Sequence, residues 1–103
     1  MRNLTRCISV ALVLCSGSVA AYAQDIEHGR QLSERWCSEC HAIEPTPGKA
    51  GRTISFAAIA AKQDITAEMV SSFLRMPHAT MPNMPLSRKD AQDLAAFIMG
   101  MKK

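Results

Sequence analysis

Between Asp25 and Cys40 the apolar positions Ile26, Leu32 and Trp36 recur at intervals of six and four, with Gly29 on the same stripe. That spacing predicts one amphipathic helix over about 25–40, with Asp25 and Glu27 favourable at its positive end. The stretch Glu44-Pro45-Thr46-Pro47-Gly48-Lys49-Ala50-Gly51 holds too many breakers for a regular element and reads as loop. Ser55 can cap a short helix carrying Phe56, Ile59 and Ala60. Thr66 caps a further helix through about Arg75, with Ile65 and Val70 spaced as a hydrophobic staple, and Met76-Pro77 ends it. Pro77, Pro82 and Pro85 exclude helix and central strand between Met76 and Leu86. Ser87-Arg88-Lys89-Asp90 is a capping-box variant, with Asp where Glu is commoner. It opens a last helix whose apolar stripe is Ala91, Leu94, Ala95, Ile98 and Met99, with Lys102 and Lys103 at its negative end. No alternating strand pattern and no internal repeat appears, so the fold class is all-α with long ordered loops.

One apolar run stands outside this scheme. Ile8 to Ala23 follows Arg2 and Arg6 and ends on Ala21-Tyr22-Ala23, the charged start, apolar middle and small-x-small site of a secretory signal peptide. The expected cut precedes Gln24, dividing the chain into a signal peptide over 1–23 and one domain over 24–103. The run is too short and too interrupted by Ser9, Ser16, Gly17 and Ser18 to span a bilayer, and in Leu12-Val13-Leu14 before Cys15 a bulky Leu sits where a lipoprotein signal wants a small residue. Cleavage removes Cys7 and Cys15, and the loss of Arg2 and Arg6 lowers the formal excess of +3 by two. No nucleic-acid footprint and no membrane span then remain. The expected location is the periplasm.

A domain of this size buries too little apolar surface to be comfortably stable, and its aromatics are scarce: Trp36, Phe56, Phe73 and Phe97. Something else is expected to fill its centre. The cysteines indicate what: Cys37-Ser38-Glu39-Cys40-His41 is C-x-x-C-H, the attachment signature of a c-type haem. Positions i, i+3 and i+4 share a helical face, so both thiols can reach porphyrin vinyl groups while the imidazole meets the iron from the same side. A thioredoxin-type pair wants a βαβ setting, which is missing. A zinc site wants four ligands, and His28 and His78 lack finger spacing. A plain disulfide leaves His41 unexplained.

The other axial position of the iron has candidates in Met76, Met81, Met84, His78 and His28. Three Met among prolines in one loop is a poor way to build a core and a good way to hold a thioether, because proline lowers the entropy lost on ordering. Gly29 eight residues before Cys37, the motif itself, Phe56-Ala57-Ala58-Ile59-Ala60, Met81-Pro82 before Leu86-Ser87, and Asp93-Leu94-Ala95-Ala96-Phe97-Ile98 together carry a resemblance. The mature chain resembles the small class I monohaem cytochromes c of the short bacterial periplasmic type. The resemblance implies helices wrapped around one covalent haem, with Cys37 and Cys40 as thioether residues and His41 and Met81 as axial iron ligands; Met84 is the alternative. It also implies a crossing of the first and last helices near Gly29 and Phe97, and a loop carbonyl near Pro45 or Pro47 that accepts the His41 Nδ1 hydrogen bond. Phe97 stands where the family more often has Tyr, and Ser33 where some members carry an aromatic.

The expected activity is one-electron transfer, without enzymatic chemistry, since no nucleophile–base or acid pair stands out. The alternatives are a haem-based gas sensor, a peroxidase-like protein, or a bound subunit of a periplasmic dehydrogenase. The expected partner is a redox protein, be it an oxidase, a quinol-oxidising complex or a dehydrogenase, met by a monomer or small subunit. Lys49, Arg52, Arg75, Arg88 and Lys89 flank the two loops and could steer an acidic partner.

Overall fold

A computed structural model describes residues 24–44, 53–76 and 80–103. It holds α1 (Ile26–Trp36), α2 (Phe56–Ala60), α3 (Ala67–Arg75) and α4 (Arg88–Met99), with no strand among the described residues. The signal-peptide segment lies outside them, as do Pro45, Pro47, Lys49, Arg52 and His78.

Each helix begins where a short polar side chain can take an orphan amide. The Asp25, Ser55, Thr66 and Ser87 side chains accept from the backbone N–H of His28, Ala58, Met69 and Asp90. At α4 the box is complete, because Asp90 accepts the Ser87 N–H in return at 2.9 Å. Between α2 and α3 the chain turns through Asp64 at φ 63, a left-handed conformation that Asp tolerates.

The last helix is the axis of the molecule: α1 and α3 pack along it and α2 touches it. Leu94, Ala95 and Ile98 of α4 meet Ile43, Phe56, Ala60 and Val70 in one buried cluster. The staple forms as expected, with Val70 buried and Ile65 packed at the cluster's edge.

Two features of α1 differ from the sequence reading. Ile26 is 55% exposed, so the inward face is Gly29 and Ser33 instead. These are small because the α4 backbone passes directly over them: a Cβ on Gly29 would lie 2.2 Å from the Asp93 carbonyl oxygen and 3.0 Å from Phe97 Cβ. The buried Ser33 hydroxyl donates back to the Gly29 carbonyl at 2.8 Å and needs no partner on α4. This is the Gly29–Phe97 crossing that the resemblance implied. The helix also stops at Trp36 instead of running to Cys40. The Ser33 carbonyl accepts from both Cys37 N–H (2.9 Å) and Ser38 N–H (3.0 Å), which widens the last turn and releases the motif into a turn of its own.

Candidate haem site

That turn closes on the Cys37 carbonyl, which accepts from the N–H groups of Cys40 (3.1 Å) and His41 (2.9 Å). The i→i+4 bond keeps one helix-like turn through Cys37–His41, although the segment is not helix. Cys37 is half-buried against the core, Cys40 is exposed, and both thiols are free. Burial, with Cys40 as a like charge beside it, pushes the Cys37 thiol up to about 11. A redox dithiol needs a depressed value.

Segment 53–56 is laced to the motif and to the residue after it by three hydrogen bonds. The Thr53 hydroxyl donates to the Cys40 carbonyl, and Phe56 N–H donates to the Ala42 carbonyl at 2.9 Å. Between them His41 Nδ1–H donates to the Ile54 carbonyl at 2.6 Å. Nδ1 is thereby committed as a donor, and the Nε2 lone pair is left to face a metal. The imidazole rests against the Phe56 ring (centroids 5.6 Å apart), which meets Phe97 edge-on at 6.3 Å. A chain of rings thus links the candidate ligand to the α1–α4 crossing.

The carbonyl expected near Pro45 or Pro47 is accordingly that of Ile54. Ser55 must sit extended to cap α2, and Phe56 must reach the core, so the residues just before them run back alongside Cys40–Ala42. The Ser55 cap was the signal that could have found this acceptor.

The other candidate ligands separate by position. His28 is drawn away to α4, its Nδ1 2.9 Å from Asp93 Oδ2 and its Nε2 3.9 Å from Asp90 Oδ1. Met76 forms the end of α3 and is more than half exposed. Met81 and Met84 are both half-buried in the loop before α4, where Leu86 N–H turns back onto the Met84 carbonyl at 2.8 Å. Among the described residues no cluster of three or more His, Cys, Asp or Glu could hold a metal ion by itself.

These residues fit a covalent haem. One turn presents two free thiols and an imidazole whose second nitrogen is already held, the donor set such a group requires. Large apolar side chains stand exposed elsewhere on the surface: Ile54, whose carbonyl orients His41, and Met69, Phe73 and Met76 along one groove beside α3.

The comparisons with known proteins agree. The family described as "Cytochrome C oxidase, cbb3-type, subunit III" matches residues 24–98. Cytochrome c-552 of Bradyrhizobium diazoefficiens is 39% identical over 98 residues, covering 94% of each chain. Cytochrome c6 of Cyanidioschyzon merolae is 28% identical over 83 residues, covering 80% of each. No solved structure matches significantly. Helices on a C-x-x-C-H turn with an oriented histidine define a c-type haem protein, and the chain belongs to the cytochrome c family as a small monohaem class I member. Its cofactor is a covalently bound haem c, and it is a haem-based electron carrier that works with redox partners. Among the described residues no helix is long and apolar enough to cross a membrane.

The sequence reading missed Asp93. Its carboxylate is 1% exposed and accepts from the Asp25 N–H (2.8 Å), His28 Nδ1 (2.9 Å) and Lys89 Nζ (2.7 Å). Lys89 is therefore tied to the α1–α4 crossing, and is not a free member of the basic ring suggested for partner steering.

Proposed function

We propose that the chain is a periplasmic one-electron carrier with His41 and Met81 as axial ligands, Cys37 and Cys40 as thioether residues, and no enzymatic turnover of its own. The observation that carries this reading is the 2.6 Å bond from His41 Nδ1 to the Ile54 carbonyl. A ligand held at its far nitrogen keeps its tautomer and ring angle in both oxidation states, which favours fast electron transfer with little rearrangement. Bound haem supplies the ferric–ferrous couple, and a thioether ligand raises its potential. Pro82 and Pro85 stiffen the loop bearing Met81. Residues 1–23 serve as the export signal and 24–103 as the cytochrome domain, a division supported by the Arg2–Arg6 start and the Ala21-Tyr22-Ala23 end. The partner is an oxidase, a quinol-oxidising complex or a dehydrogenase.

The test is the ferric spectrum of the exported holoprotein. Met81→Ala should abolish the Met–iron charge-transfer band and lower the reduction potential, while Met84→Ala leaves both near wild type. The reverse pattern moves the ligand to Met84. Ready binding of carbon monoxide to the wild-type ferrous protein would point instead to an open-site sensor or peroxidase-like haem.

A further inference from the structure

Along the outside of α3, Glu68 and Ser72 form a ridge between two grooves. The apolar groove on one side holds Met69, Phe73 and Met76. The groove on the other side is polar and runs between α3 and α4. It is lined by Ser71, Ser72 and Arg75 from α3, by Arg88 and Gln92 from α4, and by Gln24.

The two arginines differ from several other cations of the molecule. Arg30 is clamped between Glu27 and Glu34, Lys89 is spent on Asp93, and the Arg35 guanidinium lies 5.0 Å over the Trp36 ring. Neither Arg75 nor Arg88 has a carboxylate partner among the described residues. Two arginines line one cleft together with serines and glutamines, residue types that carry further donors. Glu68 is the one carboxylate lining that cleft.

We propose that this groove is a binding site for a small oxyanion, a phosphate group or a carboxylate, held between Arg75 and Arg88. A planar fork matches two oxygens of such an anion bidentately, and Gln92, Gln24 and the serines can take the remaining ones. Ordinary surface charge predicts scattered, screened attraction; a donor-rich cleft between two helices predicts a saturable one. Glu68 at the rim works against a second negative charge, so its removal should tighten binding. General charge effects would give the same signs, so the charge-conserving Lys variants, which lose only the planar fork, are what separate a held anion from surface attraction.

The test uses the full exported holoprotein, isotope-labelled, followed by NMR during titration with potassium phosphate or potassium acetate against potassium chloride at matched ionic strength. Saturable shifts confined to Ser71, Arg75, Arg88 and Gln92 are expected with at least one of the two probes, and the probe that acts separates phosphate from carboxylate recognition. Arg75→Gln and Arg88→Gln should each weaken affinity about tenfold, the loss of one charge-assisted pair. Glu68→Gln should strengthen it about threefold by removing the repulsion. Arg75→Lys and Arg88→Lys keep the charge but lose the fork, and should fall between wild type and the Gln variants. An unchanged haem spectrum in each variant shows that the fold is intact, whatever the anion does. Shifts that follow ionic strength alike in all three salts, that spread to Arg30 and Lys102, or that survive both Gln substitutions overturn the proposal.

Discussion

The two sides of α4 are finished in different ways. On the α1 side the protein closes upon itself: Gly29 lets backbone meet backbone, Ser33 satisfies its own hydroxyl, and buried Asp93 ties Asp25, His28 and Lys89 together. Elsewhere, around α2, α3 and the cysteine turn, two thiols are free, His41 is oriented through Nδ1, and, separately, Met69, Phe73 and Met76 of the α3 segment lie more than half exposed. Protein atoms complete the first side. The second carries the Cys37–His41 motif, the attachment signature of the family's covalent haem. The difference bears on how a chain this short manages with so small a core: of the eight buried hydrophobics among the described residues, Ala60, Ala91 and Ala95 contribute almost no side-chain area.

The largest expected effect comes from withholding the haem. Cys37→Ala with Cys40→Ala removes attachment, and the remaining core is too small to offset the conformational entropy of ordering the chain. Most of the far-ultraviolet helical signal should be lost, without a cooperative thermal transition. A haem-free chain that unfolds cooperatively with about 5 kcal/mol or more, the range of an ordinary domain, would show that both sides are closed by protein alone.

Next is the buried carboxylate. Burial alone would raise the Asp93 pKa, but Lys89, the Asp25 amide and His28 outweigh it and hold the group below its ordinary value. Its contribution is therefore present above the unfolded value of about 3.9 and is lost as pH falls through the lower native one. Asp93→Asn leaves Lys89 without its counter-charge and should cost the holoprotein about 3 kcal/mol at pH 7, as expected for charged hydrogen bonds at a buried acceptor. Urea unfolding at pH 7 and at pH 3 checks this, since the gap between wild type and variant should shrink at the lower pH. A gap independent of pH would mean that packing, not charge, holds the crossing.

How legible each side was follows from the same contrast. The caps at Ser55, Thr66 and Ser87 and the α4 stripe were readable because capping and 3.6-residue periodicity are local. Cys37-Ser38-Glu39-Cys40-His41 was readable because attachment chemistry fixes its spacing. Asp93 was not, since a buried carboxylate interrupting an apolar stripe acquires meaning only when residues 65 and 68 positions away arrive beside it. Nor was the Ile54 carbonyl, because any backbone oxygen can accept and only the return of the chain selects one. Ile26 misled for a related reason: α1 approaches α4 so closely that its contact face must be small, and the bulky residue is turned outward.

Gly29→Ala should have the next effect. The new methyl would lie 2.2 Å from the Asp93 carbonyl oxygen, a backbone atom inside a helix that cannot step aside cheaply. Alanine regains about 1 kcal/mol of helix propensity. Overpacking of this kind costs about 3 kcal/mol, leaving a net loss of about 2. A fall in Tm of roughly 10 °C in the holoprotein is the corresponding readout. A neutral result would mean that α1 can slide on α4, and that this side is less tightly closed than its geometry indicates.

The smallest effects separate the two sides most finely. Thr66→Ala removes the acceptor of the Met69 N–H (3.1 Å) at the start of α3, and Ser87→Ala that of the Asp90 N–H (3.0 Å) at the start of α4. Each keeps a second fastening: the Ile65–Val70 staple at α3, and the Ser87 N–H bond to the Asp90 carboxylate at α4. Both should therefore cost about 1 kcal/mol. Their distribution should differ, because both α1 and α3 pack on α4, whereas α3 has one side on the open groove. Native-state hydrogen exchange should show Thr66→Ala speeding exchange within 67–75 alone, by local opening, while Ser87→Ala speeds it through α1, α3 and α4 together. If Thr66→Ala instead lowers protection everywhere, α3 opens only with the whole molecule, and the haem-bearing side is no less cooperative than the crossing of α1 and α4.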